Sequence, residues 1–422
     1  MRKTFPKHCK LLLAVGLCAC LLLGACGNRE DTGLKDETQS ETVTMDVESD
    51  TEDAGEEEDT PISRSLMVKG NNYRMKQVLA KIAAGEDVCV GWIGGSITYG
   101  YNAGTEDIFA KLVTEYLDTA YGTGEGKVTY VNAGISGTPS MLGLVRAERD
   151  LLYAEPDLIF IEFAVNDAQS FTDKQAYESL IRKCLNRENA PAVVLLCSVT
   201  NEGYTCQDHM SQTGFYYNLP VISVKNAIWP EIEAGNMTWA DWSKDEAHPN
   251  PEGHALYAQF IEHLIDTCAE AEEDPETEVP EATKFGKDWS GMILLSNEDI
   301  LDEDSDFSAS SAHGNFQKSW SYEVTEAEDG SIRNAPMEFE ITGSTLFLVY
   351  KSVNSDAYGT AEVRVDGEIV AHLEANMEDG WNNPVTELIF SDDTSQKHQV
   401  SICMQAGDED KQFDLLAIGV SE

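Results

Sequence analysis

Residues 88–98 read VCVGWIGGSIT, and the prediction of the fold starts from them. It begins with an apolar run rich in β-branched residues and ends in two glycines, a serine and a threonine. Such an order is typical of a short buried strand followed by a sharp turn. The turn would place the Ser96 hydroxyl at the carboxyl end of the strand, where open α/β sheets hold their ligands. Ser96 is therefore either a helix cap or a nucleophile.

The composition limits the partners of the chain. The 422 residues suffice for two domains and a tail. The formal net charge is -46, from 29 Lys and Arg against 75 Asp and Glu. This charge disfavours nucleic acid and strongly anionic substrates, whereas a neutral acylated sugar meets no such barrier. A role in solubility alone is the other interpretation of the charge.

The amino-terminal end has the features of a targeting segment. Its basic region is formed by Arg2, Lys3, Lys7 and Lys10. The apolar run Leu11–Leu23 is short for a bilayer span and leads into Leu23-Gly24-Ala25-Cys26. This order resembles the lipobox of bacterial lipoproteins, and the resemblance implies cleavage before Cys26 and lipidation of its sulfur. We therefore predict an extracytoplasmic protein that is lipid-anchored to the cell membrane; an uncleaved anchor is the alternative.

Changes in composition divide the chain into five segments. A polar acidic stretch that cannot bury enough surface to fold lies between the signal and the first apolar pattern. A second stretch rich in Pro and Glu separates two patterned regions. We predict a signal peptide over 1–25, a disordered acidic linker over 26–62, a first folded domain over 63–271, an acidic Pro/Glu linker over 272–283 and a β-sandwich over 284–422.

The first patterned region alternates apolar strands with amphipathic helices. Its predicted strands are 88–93, 127–132, 157–163, 191–199 and 221–224. Helices are predicted over 75–84, 106–121, 141–153 and 173–186, and a long helix over 251–271 closes the region. Repeated alternation of this kind predicts a parallel sheet with helices on both faces, a three-layer α/β fold.

The second region has short alternating segments and few helix signals. Its predicted strands are 337–341, 345–350, 361–365, 368–373, 385–390, 399–404 and 413–420. Asp366-Gly367 lies between two of them and is typical of a hairpin turn. These features predict an antiparallel sandwich or jelly roll, which is a candidate carbohydrate-binding domain.

A serine nucleophile needs a base within hydrogen-bond reach and a group that orients this base. Asp245-Glu246-Ala247-His248 precedes the last helix and offers both. Asp245 would fix the tautomer of His248, which would take the Ser96 proton. A surface capping turn is the alternative interpretation of this motif.

Acyl transfer also needs donors for the developing oxyanion. The Ser96 N–H is one candidate. The second strand ends in a turn, NAGISG over 132–137, that would expose the Gly134 N–H, and the third is followed by Asn166. Each of these residues is also common in ordinary turns, but together they supply one part of an acyl-transfer site at each of three successive strand ends.

These ordered blocks resemble the SGNH (GDSL-like) hydrolase superfamily. The resemblance covers about residues 86–271 and implies a flavodoxin-like three-layer fold. It implies Ser96 as nucleophile, His248 as base and Asp245 as its partner, with Gly134 and Asn166 as oxyanion donors. One departure is that Gly95 stands where this family commonly has Asp, which leaves the subfamily and the hydrogen bonding of the turn open.

Three aromatic residues are candidate substrate contacts because they lie beside the site blocks and aromatic faces stack on sugar rings: Trp92, Tyr99 and Trp242. Packing in the core is the alternative for each. Six cysteines beyond Cys26 are scattered without metal-like spacing, so we expect no metal and no cofactor.

We predict a serine esterase that removes acyl groups, above all acetyl, from a small molecule or polysaccharide. A lipase or lysophospholipase is a rival prediction within enzymes. A surface lipoprotein that binds glycans without cleaving them is a rival from another class. An acyltransferase would use the same residues.

Overall fold

The structure is a computed structural model that describes residues 59–327 and 329–422. The predicted signal peptide, the lipidation site Cys26 and the predicted acidic linker up to residue 58 lie outside the described residues. The predicted domain boundaries and the lipid anchor therefore stay predictions. Within the described ranges, no helix combines the length and the apolar character that crossing a bilayer requires.

The first part of the described chain alternates helices with short strands. Its strands are β1 (Leu66–Val68), β2 (Val88–Gly94), β3 (Val128–Gly134), β4 (Leu158–Glu162), β5 (Ala192–Cys197) and β6 (Val221–Ser223). Its helices are α1 (Pro61–Ser65), α2 (Tyr73–Ala83), α3 (Ser96–Tyr99), α4 (Phe109–Tyr121), α5 (Ser140–Asp150), α6 (Phe171–Leu185), α7 (Gln207–Tyr217), α8 (Val224–Ala234), α9 (Trp239–Trp242) and α10 (Pro251–Glu270). A 3-10 turn spans Leu152–Ala154.

The six strands form one sheet in the order β1-β6-β5-β4-β2-β3. Strands β2 to β6 are parallel, which confirms the predicted parallel α/β sheet, and their order is that of flavodoxin-like folds. The edge strand β1, which the sequence pattern did not indicate, runs antiparallel to β6. The chain reverses its winding between β2 and β4, so ligands are expected at the carboxyl ends of these two strands.

Helices cover both faces of this sheet. One apolar core holds Ile82 of α2, Val113 of α4 and Leu264 of α10 against the sheet. The other core holds Leu144 of α5 and Leu180 of α6 on the opposite face. All five residues of β4 are buried, as expected for a central strand that contacts both layers.

The rest of the chain is all-β and antiparallel, as predicted. Its strands are β7 (Ile293–Leu295), β8 (Phe307–Ser310), β9 (Ser319–Tyr322), β10 (Thr325–Glu326), β11 (Ile332–Arg333), β12 (Met337–Val353), β13 (Thr360–Val365), β14 (Glu368–Glu374), β15 (Trp381–Met404) and β16 (Asp414–Ser421). The main sheet has the order β14-β13-β15-β12-β16-β9-β8, with β7 also paired to β16. Strands β12 and β15 each join two segments that the sequence pattern separated.

The two domains share one hydrophobic core. Every residue of β16 is buried. Leu416 and Phe347 of the β-domain belong to the same apolar cluster as Val145 and Leu144 of α5. A Cβ atom added to Gly419 would lie 2.8 Å from Cγ2 of Val145, so the strand and the helix are in close contact. The β-domain is thereby fixed beside helix α5 and the carboxyl edge of the parallel sheet.

Both predicted linkers differ from expectation where they are described. Helix α1 begins at Pro61, inside the segment predicted as disordered, because Thr60 caps it by accepting the Ser63 N–H. Residues 272–283 have no regular secondary structure but lie bound along the first domain. Asn72 donates its side-chain N–H to Glu272 O at 2.8 Å, and Arg182 donates to Pro280 O at 2.7 Å.

Candidate active site

Ser96 is the first residue of the one-turn helix α3, directly after β2. Gly95, and not Ser96, occupies the N-cap position, so the interpretation of Ser96 as a helix cap is wrong. The Ser96 side chain is only 7% exposed, and its Oγ lies 2.8 Å from Nε2 of His248. The hydroxyl therefore has a ring nitrogen within proton-transfer distance.

His248 and Asp245 share the turn that precedes α10. Nδ1 of His248 lies 2.9 Å from Oδ2 of Asp245. The other carboxylate oxygen, Oδ1, accepts the N–H groups of His248 at 2.8 Å and Ala247 at 2.9 Å. The turn therefore holds the carboxylate in one orientation against the imidazole. The structure brings Ser96, His248 and Asp245 together in the order in which the sequence motifs paired them.

The charge of Asp245 fixes the direction of the hydrogen bonds. Partial burial opposes ionisation, but hydrogen bonds from the His248 and Ala247 N–H groups and from the His248 ring lower the pKa of Asp245 to about 2. An ionised carboxylate accepts, so the network assigns the proton to Nδ1 of His248. Nε2 then carries a lone pair that faces the Ser96 hydroxyl.

A loop after α3 supplies two further contacts that the motifs did not indicate. Asn102, in the left-handed region at a φ of 67°, donates its side-chain N–H to Oδ2 of Asp245 at 2.6 Å. The ring of Tyr101 lies over His248 with centroids 4.6 Å apart. The Asp–His pair is therefore held from this loop as well as from its own turn.

The prediction that the Gly134 N–H is an oxyanion donor is wrong. This N–H donates to Oδ1 of Asn132 at 2.9 Å, closing a local turn, and is therefore already engaged. The glycine is required for another reason, because a Cβ atom there would lie 2.3 Å from the Tyr99 nitrogen. Gly134 lets helix α3 approach the end of β3.

Gly137, the second glycine of the same turn, was missed. It has a φ of +69°, lines the cavity at Ser96, and its N–H has no acceptor among the described residues. The signal for it in the sequence was a glycine directly before Thr-Pro, where a left-handed turn residue is common. Its N–H replaces that of Gly134 as the oxyanion-donor candidate from β3.

Asn166 follows β4 and is half-buried beside the nucleophile turn. A Cβ atom added to Gly95 would lie 2.2 Å from Oδ1 of Asn166 and 3.0 Å from its Nδ2. The amide therefore packs directly against the glycine backbone. This contact explains why residue 95 has no side chain in this protein.

Two of the three predicted aromatic contacts are wrong. Trp92 is fully buried and stacks on Phe160 at a centroid distance of 4.0 Å. Trp242 is 1% exposed and packs beside Phe260. Both tryptophans lie in the core because the apolar faces of β2 and α9 turn inward. Tyr99, in contrast, is 60% exposed and lines the cavity, as a substrate contact must.

The cavity at Ser96 lies between the two domains and has a volume of about 880 Å³. The β-domain contributes part of its wall, formed by His313, Asn315, Trp381 and Pro384. Trp381 is 56% exposed, and its ring lies so close to Gly137 that a Cβ atom there would come within 2.6 Å. Local sequence patterns could not indicate this wall, because it depends on how the domains pack.

Two carboxyls lie buried beneath the site. Burial raises the pKa of Glu162 to about 7 and raises that of Asp167 as well. The Thr98 hydroxyl donates to Oε2 of Glu162 at 3.3 Å, whereas Oε1 has no partner among the described residues. The described part of the chain contains no group of three or more His, Cys, Asp or Glu side chains placed to hold a metal ion.

Comparisons with known proteins agree with this geometry. Residues 92–256 match the model of the GDSL-like Lipase/Acylhydrolase family. An arylesterase from Vibrio mimicus is 26% identical over 176 residues, which make up 40% of this chain and 84% of that protein. The region that matches the family model includes Ser96, Asp245 and His248.

Solved structures extend the similarity to both domains. A two-domain esterase (CEX) active on acetylated mannans is 28% identical with a TM-score of 0.76, covering 86% of this chain and 98% of the other. An esterase of the same description, co-crystallised with mannopentaose, is 29% identical with a TM-score of 0.75 and the same coverage. This chain therefore contains a domain that matches the GDSL-like lipase/acylhydrolase family model, followed by an all-β domain, and is a carboxylic-ester hydrolase.

Proposed function

We propose that this chain removes O-acyl groups, acetyl above all, from carbohydrate, with Ser96 as nucleophile, His248 as base and Asp245 as the group that orients the base. The observation that carries the proposal is that the Ser96–His248 pair opens into a cavity whose lining includes the exposed indole of Trp381. A flat aromatic face in the cavity of the nucleophile suits a sugar ring, because it combines apolar area with a rigid surface.

In the first half-reaction, Oγ of Ser96 attacks the ester carbonyl while Nε2 of His248 takes the hydroxyl proton. The tetrahedral oxyanion is held by the N–H groups of Ser96 and Gly137 and by the Asn166 amide. The carbon–oxygen bond to the sugar then breaks, and His248 gives its proton to the sugar hydroxyl. The acyl group remains on Ser96 as an ester.

In the second half-reaction, water attacks the acyl-enzyme and His248 takes its proton. Collapse of the second tetrahedral intermediate returns the proton to Oγ of Ser96 and releases the carboxylic acid, which then loses its remaining proton to water. Asp245 stays ionised throughout, since hydrogen bonds hold its pKa at about 2, and it stabilises the imidazolium in both steps.

Two further observations support a carbohydrate substrate. The mannan-active esterase and its mannopentaose complex resemble this chain over both domains. The cavity also continues along the domain boundary: Asn315 lines the cavity at Ser96 and two neighbouring depressions that reach Tyr153 and Lys318. A groove of this extent fits a polymer better than a small ester.

The test compares a small ester with a glycan. Wild type and the variants Ser96→Ala and Trp381→Ala are assayed on p-nitrophenyl acetate and on acetylated mannan. The control is Phe215→Ala, which changes another largely exposed aromatic residue, on α7. We expect Ser96→Ala to release no acetate from either. We expect Trp381→Ala to raise the KM for the glycan about tenfold, equivalent to about 1.4 kcal/mol, with little change on the small ester.

Three outcomes would contradict the proposal. Acetate release by Ser96→Ala would show that Ser96 is not the nucleophile. An equal effect of Trp381→Ala on both substrates would show that Trp381 does not bind the sugar. A preference for p-nitrophenyl octanoate over the acetate would favour a lipase-type acylhydrolase.

We also propose that the chain is lipid-anchored through Cys26 on the extracytoplasmic side of the cell membrane. The support is the order of basic region, apolar run and Leu-Gly-Ala-Cys. Incorporation of labelled palmitate into wild type but not into Cys26→Ala is the expected result, and equal labelling of both would overturn it.

A further inference from the structure

A fully buried arginine lies behind the active site. Arg146 belongs to α5 and has no exposed surface. Its Nη1 donates to Ala133 O at 2.6 Å, and its Nη2 donates to Gly94 O at 3.1 Å. Asp150, one turn later on α5, is its carboxylate partner at 3.3 Å, and Nε has no partner among the described residues.

The two acceptor carbonyls stand at the ends of the strands that carry the site. Gly94 ends β2, two residues before Ser96, and Ala133 lies at the end of β3, just before the turn that contains Gly137. Gly94 O also accepts the Ile135 N–H at 3.1 Å, which joins that turn to β2. One planar guanidinium thus bridges the nucleophile strand and the oxyanion-donor strand.

A contribution to stability does not by itself explain why a charged side chain is buried at this position. Burying a charge costs free energy, and an apolar residue of similar volume is often equally or more stabilising. Burial lowers the pKa of Arg146 to about 10, so the group still carries its charge at neutral pH. A fork with two parallel N–H donors is, however, the group best suited to fix two oxygens relative to each other.

We propose that Arg146 is a positioning residue that sets the distance between Ser96 and the oxyanion donor of Gly137 by clamping the Gly94 and Ala133 carbonyls. The inference rests on the proposed acyl-transfer function. Its consequence is that loss of the fork impairs stabilisation of the tetrahedral oxyanion more than substrate binding, since a misplacement of about 1 Å at reacting atoms costs about 10²-fold in rate.

The test uses Arg146→Met, which removes the charge and the fork, and Arg146→Lys, which keeps only the charge. Arg182→Met and Arg182→Lys are matched controls, because Arg182 is also buried and also donates to two backbone carbonyls, those of Pro280 and Glu281, away from Ser96. For each folded variant, the thermal midpoint, kcat and KM on p-nitrophenyl acetate and the inhibition constant of phenylboronic acid are measured. The boronic acid forms a tetrahedral adduct with an active serine and so reports on the oxyanion site.

We expect both Arg146 variants to lower kcat by about 10- to 100-fold, with KM within about threefold of wild type. The inhibition constant of phenylboronic acid should rise by a factor similar to the loss in kcat. We expect the Arg182 variants to lose thermal stability while kcat and boronic acid affinity stay near wild type. Retention of wild-type kcat and boronic acid affinity by either folded Arg146 variant would overturn the proposal. Failure of both Arg146 variants to fold, while the Arg182 variants fold, would also overturn it. Ser96→Ala is assayed alongside these variants. Wild-type activity of Ser96→Ala would contradict the proposed function itself, whereas an inactive Ser96→Ala beside fully active Arg146 variants would contradict only the role of Arg146.

Discussion

Because residue 95 is glycine, the Asn166 amide can pack directly against the turn that carries Ser96. Gly95 has a φ of -89°, which lies outside the left-handed region that favours glycine. The requirement for glycine is steric, because a Cβ atom at residue 95 would lie 2.2 Å from Oδ1 of Asn166. A side chain at residue 95 and the Asn166 amide in its present place exclude each other.

Gly95→Ala is therefore expected to lower kcat on p-nitrophenyl acetate by about 10²-fold, the effect of losing one oxyanion donor, with little change in KM. Asn166→Ala should have a similar effect, and the double variant should be no slower than Asn166→Ala alone, because both changes remove the same interaction. The control is Gly291→Ala, where a Cβ atom meets only Oγ of Ser421 at 3.6 Å. Multiplicative effects in the double variant would contradict this prediction.

Residues within one turn or at the carboxyl ends of the parallel strands could be predicted from the sequence, and residues that reach the site only through the packing of other elements could not. Asp245 and His248 lie three positions apart, so their contact follows from local geometry. Trp381 reaches Ser96 only through the packing of the β-domain, and Arg146 reaches Gly94 only through the packing of α5. Trp92 was mistaken for a contact, although its place in an uninterrupted apolar strand indicated the core.

At the scale of elements, the parallel strands were predicted because each one is a compact apolar run. Helices α7 and α8 were not, because the residues of α7 show little helical periodicity and α8 contains Pro230, a residue that normally ends a helix. Strands β12 and β15 were each divided in two, since their pairing shifts register near Gly343 and their middle residues are polar. The Asp366-Gly367 turn is confirmed as a hairpin: both residues have positive φ, and Val365 pairs with Glu368.

The carboxyl end of β4 carries a pH-dependent stability. The pKa of Glu162 is about 7 in the folded protein, because of burial, whereas an unfolded glutamate titrates near 4.3. Between these values the unfolded chain loses a proton that the folded protein retains. The stabilisation is therefore complete below about pH 4.3, falls as the pH rises towards 7, and is lost above it.

Glu162→Gln is expected to reduce the fall in thermal midpoint between pH 5 and pH 8, because glutamine does not ionise. Over this interval, the free energy of unfolding of the wild type should fall by roughly 3 kcal/mol more than that of the variant. Asp167, whose pKa is also raised, still contributes to the remaining slope. Glu231→Gln is the control, since hydrogen bonds from Asn236 and Arg64 lower its pKa and place its titration below this interval. An unchanged slope in Glu162→Gln would show that Glu162 is ionised in the folded protein at pH 5.

For the whole molecule, the contact between the domains is a core and not a hinge. The run of residues 413–420, FDLLAIGV, is apolar almost throughout, which is typical of a strand buried on both faces. In the structure, Leu415 and Ile418 face the core of the β-domain, whereas Leu416 and Ala417 face α5. The sequence pattern predicted this run as a strand of the β-domain, but it did not indicate α5 as its second partner.

This arrangement predicts that shortening one side chain in the shared core destabilises both domains. Leu416→Ala should lower the free energy of unfolding by about 2–5 kcal/mol, as much as Leu415→Ala in the β-domain core, because both side chains are at most 1% exposed. Thermal loss of esterase activity reports on the hydrolase domain, and amide hydrogen exchange of Thr360–Val365 reports on β13. In wild type and in both variants the two measurements should give one common transition, since a shared core couples the domains. Leu301→Ala, at a residue 74% exposed, should change stability by less than about 0.5 kcal/mol. A cost of less than about 1 kcal/mol for Leu416→Ala, or a hydrolase transition separate from that of β13, would contradict the shared core.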